Sequence, residues 1–418
     1  MDIESLDGEL RGVGWIDGTK VWVPGCLPGD RVRVRVAHVS PHRNEAWAEL
    51  VKGPSRQPDC AHAWPLAGRC GGCPGMHVPY EEQLAAKAVA LSGTLSGARP
   101  DRVRPAPRAT GWRNRANFEV ARLSGRVVLG SRAPRSADVV GMRGCVVVRP
   151  PLAELASAIE DLGPDPDSVR YVSLRCNREG EALVELIVRD ASATERLVEP
   201  LRGLPGVVGV AASVNRSRGN AIRVAPAETV AGATRIVERF GSTPAYVRAD
   251  SFLQLNPEVA DEMYAQAVAW SEGARRVVDL YCGVGPLGLS VAQAWGARLM
   301  GVEVHAAATG LAQRAADELG VDARFVAGDL TSGPPPEEAL EDADVLLVNP
   351  PRRGLDAPVR AALAARARGS LVYMSCNPAT FARDAAALTE GGWVADEVLA
   401  WDMLPNTSHV ELLAHFRA

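Results

Sequence analysis

From about Asp250 to the C-terminus, short aliphatic or β-branched runs alternate with helical patterns, and this alternation constrains the fold more than any other feature. Strand–helix alternation specifies a parallel sheet covered by helices. The run Arg276 to Leu280 contains Asp279 and leads into Tyr281-Cys282-Gly283-Val284-Gly285, followed by a helical pattern. Glycines at such a turn let a ligand approach the backbone at the carboxyl edge of the sheet. The next run, Arg298 to Val302, ends in Glu303, about 20 positions after the turn, where a carboxylate can hold the ribose hydroxyls of a nucleoside cofactor. A third run, Phe325 to Ala327, ends in Gly328-Asp329, and a fourth, Asp344 to Val348, enters Asn349-Pro350-Pro351-Arg352. Helix capping accounts for any one of these polar residues standing alone, and the turn alone also resembles a dinucleotide site. Four in succession fit S-adenosylmethionine better than NAD, with Gly283 and Asn349 at the pocket.

A chain of 418 residues exceeds one ordinary domain, and three regions differ in character. Residues 1–54 read as short strands, with Val21-Trp22-Val23, Val32 to Val36 and turns at Asp17-Gly18 and Leu27-Pro28-Gly29-Asp30. That pattern predicts a small OB-like β-barrel, a shape often used for RNA. Residues 55–247 hold a cysteine loop, a helical pattern from Glu81 to Leu95, and strand-like runs at Val127 to Leu129, Cys145 to Val148, Tyr171 to Leu174, Ala182 to Val188 and Val207 to Val214. Residues 248–418 form the α/β region. The expected fold is therefore multidomain: an N-terminal barrel, a strand-rich central domain and a C-terminal Rossmann-like domain. No repeat is visible. With 47% hydrophobic and 23% charged residues, collagen-like, coiled-coil and disordered readings fall away. No apolar stretch reaches the roughly 18 residues a membrane helix needs, and the acidic start MDIESLDGEL lacks a signal segment. A cytoplasmic protein without membrane contact is expected, and with no partner surface evident, a monomer.

Cys60, Cys70 and Cys73 are spaced C-x9-C-x2-C in a Gly/Pro-rich loop. In a cytosolic chain, clustered thiols suggest a metal rather than a disulfide. Four sulfurs suit an iron–sulfur cluster or structural zinc. Cys145 is the nearest candidate for the fourth ligand, while His62 or His77 would instead complete a zinc site. Spacing leaves both metals open.

Charge is unevenly placed. Between Arg99 and Arg149 there are 12 arginines against Asp101, Glu119 and Asp138, inside a chain of net charge −4. Arginine binds phosphate with two parallel hydrogen bonds and stacks on bases. In Trp112-Arg113-Asn114-Arg115-Ala116-Asn117-Phe118, cations interleave with aromatics and amides, so Arg113, Arg115 and Asn117 are expected to face RNA.

These stretches together resemble the S-adenosylmethionine-dependent RNA (uracil-C5) methyltransferases that carry an N-terminal TRAM domain and an iron–sulfur cluster. The likeness runs almost end to end, through VWVPGCLPGDRVRVRV, CGGC with Gln83 and Lys87, WRNRANFEV, SFLQLNP, VVDLYCGVGPLGL, GVEV, NPPRRG, YMSCNPATFARD and WDMLPNTSHVE. The last two are the most diagnostic. The resemblance implies that Cys60, Cys70, Cys73 and Cys145 hold a 4Fe–4S cluster, and that Gln254, Tyr281, Glu303 and Asp329 line the cofactor pocket. It also implies that Cys376 is the nucleophile and Glu411 the base. The substrate it implies is 23S ribosomal RNA ahead of tRNA.

Three positions depart from the family pattern. The first two cluster cysteines are farther apart than usual, Pro286 replaces a small polar residue, and Asn349 stands where the family has Asp in D-P-P-R. An Asn-Pro-Pro motif is used by amino-methyltransferases, whose target NH2 donates to a neutral carbonyl, so adenine or amide methylation is the alternative. A catalytically silent RNA-binding homologue is a second. The chemistry favours uracil: C5 becomes nucleophilic once a thiolate has added to C6, and its proton then needs a base. That reaction uses both Cys376, after the run Leu371 to Met374, and Glu411, expected in a polar loop near His409.

Overall fold

The computed structural model describes residues 1–54, 58–63, 70–95, 97–134, 136–217 and 219–418. Residues 64–69 of the cysteine loop and Arg135 of the arginine-rich segment lie outside them.

The C-terminal region forms an eight-stranded sheet. From one edge its strands are Ala323–Ala327, Arg298–Glu303, Arg276–Leu280, Val345–Val348, Ser370–Ser375, Glu411–Arg417, Val394–Trp401 and Val103–Arg104. The first five run parallel, and Glu411–Arg417 is antiparallel to both neighbours. Val345–Val348 and Ser370–Ser375 are buried on both faces, which explains their continuous apolar runs. The chain winds outward in both directions from Arg276–Leu280, creating a switch point where ligands of such sheets bind at the carboxyl ends.

The edge strand Val103–Arg104 and the helix Tyr80–Thr94 come from the stretch grouped by sequence with the central region, yet both pack on this sheet. The helix turns Gln83, Lys87 and Leu91, spaced four apart, into the interior. Lys87 Nζ donates to Asp402 at 2.7 Å, with both side chains fully buried.

A central seven-stranded sheet runs Glu228–Gly232, Val207–Val214, Ala182–Val188, Val169–Cys176, Arg115–Leu123, Arg126–Arg132 and Val139–Gly141. One face, with Phe118, Val172, Leu174 and Leu186, packs on the helix Pro150–Leu162 through Leu152, Leu155 and Ile159. That helix was not predicted, although it has prolines at its start, Gly163 (φ 66°) at its end and buried residues at helical spacing. The strand expected at Cys145 to Val148 is instead a pair of turns with one isolated bridge, Arg113 to Val148. The carbonyls of Val146 and Val147 accept from Gly111 N and Arg113 N, so this run braces the 111–113 segment and then enters the helix.

The N-terminal region is a five-stranded sheet ordered Ile3–Leu6, Gly12–Ile16, Thr19–Val23, Glu45–Lys52, Arg33–Val39. Its small core joins Ile3, Val21, Val23, Val32 and Ala46. No helix among the described residues is long and apolar enough to cross a membrane.

Candidate active site

The turn after Arg276–Leu280 has the shape its glycines foretold. Gly283 and Gly285 have φ of 56° and 83°, and Tyr281, a non-glycine, is held at 62°. Such strain persists where the surroundings fix it, commonly at functional sites. Asp279 is buried and accepts from Gly288 N at 3.1 Å, which ties the strand to the helix Pro286–Trp295. Burial, reinforced by Glu303, pushes the Asp279 carboxyl up to about 7 despite that hydrogen bond. Glu303 accepts from Gly283 N (3.1 Å) and His305 N (3.0 Å), one bond to each oxygen. Each oxygen keeps a second lone-pair direction for a ribose hydroxyl. Asp329 is exposed, turned back on Thr331. Asn349 is half-buried; its backbone N donates to Leu280 O, and its amide has no partner among the described residues. Gly283, Glu303, Asp329 and Asn349 thus stand on successive carboxyl ends of adjacent strands, a cradle that fits a nucleoside cofactor.

On the neighbouring strand, Cys376 follows Ser370–Ser375 at the N-terminus of the helix Pro378–Glu390, beside its cap Asn377. It is half-buried. Glu411, expected in a loop, is instead the first residue of a buried strand, paired with Trp401. Burial pushes its carboxyl up to about 8, opposed by Arg352. The Cys376 thiol is raised by burial and then by Glu411, and lowered by Arg352. The register that pairs Ser375 with Leu412 places Cys376 across from Glu411, and the Arg352 carbonyl is bonded to the neighbouring Asn377. Gln254 joins the same edge, its amide 3.9 Å from the sulfur of Met374.

Arg352 is a site residue that the sequence reading missed, although the motif NPPRRG contained it. Its carbonyl accepts from Asn377 Nδ2 (2.9 Å) and Thr380 Oγ1 (3.2 Å), fastening this loop to the start of the Cys376 helix. Asn114 was missed too. Buried to 1% exposure, it donates to Gln254 O at 3.1 Å and so links the WRNR segment to the Gln254 loop.

The motif WDMLPNTSHVE also has a physical reading. Before Glu411, the chain is fixed by Lys87 on Asp402, by Asn256 Nδ2 on Met403 O (3.2 Å), and by Gln83 Oε1, which accepts from Asn406 N (3.0 Å). Gly75 N, two residues beyond Cys73, donates to Asn406 O.

Cys60, Cys70, Cys73 and Cys145 are all buried. Burial first, then Cys145, Cys70 and Cys60, push the Cys73 thiol up to about 12, so the four sulfurs lie within electrostatic reach of each other. Their number and burial fit a four-sulfur group. As they stand, no group of three His, Cys, Asp or Glu side chains among the described residues is arranged to hold a metal ion. His62 lies 3.7 Å from the Cys60 sulfur.

The expected RNA-facing trio separates. Asn117 is exposed. Arg115 is half-buried, donating to Ser251 O at 3.0 Å. Arg113 turns inward beside Cys145 and Cys73, with its Nε on Arg115 O at 2.8 Å. Backbone carbonyls hold the guanidiniums of Arg113 and Arg115, which leaves Asn117 the most exposed of the three.

Residues 212–415 match the family model described as tRNA (Uracil-5-)-methyltransferase. An RNA methyltransferase of Thermosynechococcus vestitus is 33% identical over 99% of this chain and 96% of its own length. Another, from Halalkalibacterium halodurans, is 30% identical over 99% and 95%. The solved structure of the Pyrococcus abyssi tRNA (uracil-54, C5)-methyltransferase in complex with S-adenosyl-L-homocysteine superposes with TM-score 0.77 at 25% identity, covering 100% of this chain and 99% of that one. The C-terminal sheet is thus that of a class I methyltransferase. The chain belongs to the RNA (uracil-5-)-methyltransferase family and is an enzyme that uses S-adenosylmethionine.

Proposed function

We propose that this enzyme methylates C5 of one uridine in structured RNA through a covalent bond between Cys376 and C6. The observation that carries the reading is the pairing of Ser375 with Leu412 on antiparallel strands, which sets Cys376 across from Glu411 at the carboxyl edge, with the Arg352 loop bonded to Asn377 beside them. Bound S-adenosylmethionine supplies an electrophilic methyl group. Gly283, Glu303, Asp329 and Asn349 would hold it, with Tyr281 and Gln254 alongside. The Cys376 thiolate adds to C6 and the C5–C6 electron pair moves onto C5, which would take the methyl from the sulfonium as S-adenosylhomocysteine departs. Glu411 removes the C5 proton, the C5–C6 double bond re-forms, and Cys376 leaves as the thiolate. Arg352 offsets the negative charge of the thiolate and carboxylate.

The division into an RNA-binding TRAM barrel (1–54), a central domain (55–247) and the methyltransferase domain (248–418) belongs to the same proposal. So does a 4Fe–4S cluster on Cys60, Cys70, Cys73 and Cys145, with Arg113 as its nearby cation. Because Gly75 N bonds Asn406 O, that cluster would brace the loop leading to Glu411. Asn117 and the exposed part of Arg115 would meet RNA. The resemblance favours 23S ribosomal RNA. The tRNA substrate of the Pyrococcus abyssi relative favours tRNA as the second reading, and the partnerless Asn349 amide favours adenine-N6 methylation as the alternative chemistry.

Radiolabelled methyl transfer to separated 23S rRNA and tRNA, followed by nucleoside analysis, tests all of these. Label in 5-methyluridine is expected. Label in N6-methyladenosine overturns the uracil reading, and the labelled fraction identifies the RNA class.

A further inference from the structure

The central sheet carries cations that neither the active site nor the cysteine pocket uses. Strand register sets Arg175 opposite Arg115, and Ser173 between Asn117 and Glu185. Alternation along each strand puts these five side chains on one face. Arg175 is 1% exposed. Its Nη2 and the Nη1 of Arg115 both donate to the same carbonyl oxygen, that of Ser251. Among the described residues, Nε and Nη1 of Arg175 and Nε of Arg115 have no hydrogen-bond partner.

The nearby acids are committed elsewhere: Glu185 to Arg223 and Ser213, Asp250 to Arg248 and Ala227 N. Arg175, Arg115, Arg223 and Arg248 thus share the carboxylates of Glu185 and Asp250, and cations outnumber anions. Burial, then Arg115 and Arg223, push the Arg175 guanidinium down to about 9. A buried cation without an anion is costly. Two planar forks converging on one neutral carbonyl have the geometry of a phosphate site whose charge is still to arrive.

We propose that Arg175 and Arg115 bind one backbone phosphate of the RNA substrate, reached past the exposed Asn117. The phosphate oxygens take the free N–H groups and share or displace the Ser251 carbonyl. Ser251 is followed by Phe252-Leu253-Gln254, so capture of the phosphate is felt in the loop that brings Gln254 to the active-site edge. This deepens the proposed RNA-binding role of the same sheet and rests on it.

The test is binding of fluorescent oligouridylate across a salt series to the full-length wild type, Arg175→Met and Arg175→Lys, with melting curves of each. Arg175→Met should weaken binding and flatten the plot of log affinity against log salt by about one unit. It should keep or raise the melting temperature, because an uncompensated buried charge is gone. Arg175→Lys should keep the slope but bind several-fold more weakly, since an ammonium lacks the two-pronged contact. A wild-type slope and affinity in Arg175→Met, with a lowered melting temperature, would make Arg175 a strut for Ser251 and overturn the proposal. Stabilisation of wild type but not Arg175→Met by inorganic phosphate, with RNA binding unchanged, would assign the site to the free ion instead. If Arg175→Met does not fold, wild-type affinity in Arg175→Lys overturns it. Loss of salt dependence already in the wild type would sink the RNA-surface reading itself, a separate result.

Discussion

Two groups of cysteines each lie beside an arginine, and their surroundings prepare them for different chemistry. Cys60, Cys70, Cys73 and Cys145 are 5–8% exposed and gathered near the inward-turned Arg113. Cys376 is half-buried, stands at a helix N-terminus, and shares its surroundings with one carboxylate and the exposed Arg352. Four thiols enclosed together suit a metal group that replaces their protons. A single accessible thiol beside a cation suits attack on a substrate. Cys282 is as buried as the cluster cysteines, at 7% exposure, but its charged neighbours are Asp279 and Glu303 rather than other thiols and an arginine, and burial with these carboxylates drives its thiol well up. Residue type alone does not distinguish these fates; exposure and neighbouring charge do.

The largest effect tests the nucleophile. Cys376→Ala should reduce methyl transfer by at least about 10⁴-fold, as loss of a nucleophile does, while leaving S-adenosylmethionine binding intact by calorimetry. It should also remove the covalent enzyme–RNA band that wild type gives with 5-fluorouridine RNA on a denaturing gel. Full methylation by this variant would dissolve the contrast between the two cysteine groups.

Glu411→Gln should cost about 10²- to 10⁴-fold, and the methylated adduct should accumulate because its C5 proton stays in place. Burial raises the Glu411 carboxyl to about 8, which favours the protonated form at neutral pH. At pH 7 about a tenth of the free enzyme then carries the working carboxylate. kcat/KM should therefore rise with pH through about 8, and Glu411→Gln should lose that part of the rise while the limb set by ionisation of the raised Cys376 thiol remains. A wild-type profile flat from pH 6 to 9 would remove Glu411 from the base role.

For the other cysteine group, Cys73→Ser should bleach the brown colour expected of anaerobically purified protein, yet cost turnover only about 10- to 100-fold, as support residues of a metal site do. Colourless wild-type protein with stoichiometric zinc would replace the iron–sulfur assignment.

Much of this was legible in the sequence, for identifiable reasons. The carboxyl-edge residues could be read because strand ends and glycine turns are local patterns, and Tyr281 and Gly283 take positive φ where the turn requires it. Convergence of Cys145 with Cys73 could only be suspected, since 71 residues of intervening chain leave no local trace. The carbonyls that hold Arg113 and Arg115, Arg115 O and Ser251 O, could not be read in advance, because they belong to backbone whose path no side-chain pattern specifies. Glu411 looked like a loop residue from its polar neighbours, whereas pairing with Trp401 extends the strand to include it. Arg352 was visible all along, but its electrostatic link to Cys376 and Glu411 exists only after Val345–Val348 and Ser370–Ser375 have paired.

The smallest expected effect concerns Asn349, where the cofactor cradle departs from the family motif. Its backbone is pinned by Leu280 O and its amide has no partner among the described residues, so Asn349→Asp changes charge without breaking an internal bond. A carboxylate there adds negative charge to an edge that already holds Glu303 and Asp329, which favours the cationic sulfonium over its neutral product. KM for S-adenosylmethionine should fall by a few-fold and inhibition by S-adenosylhomocysteine should weaken relative to it, at roughly RT per such step. If 5-methyluridine formation rises with it, the native Asn is a weakened form of the uracil site. If Asn349→Asp instead abolishes all methylation while Cys376→Ala does not, the neutral amide is holding an exocyclic amine, and adenine is the base this enzyme modifies.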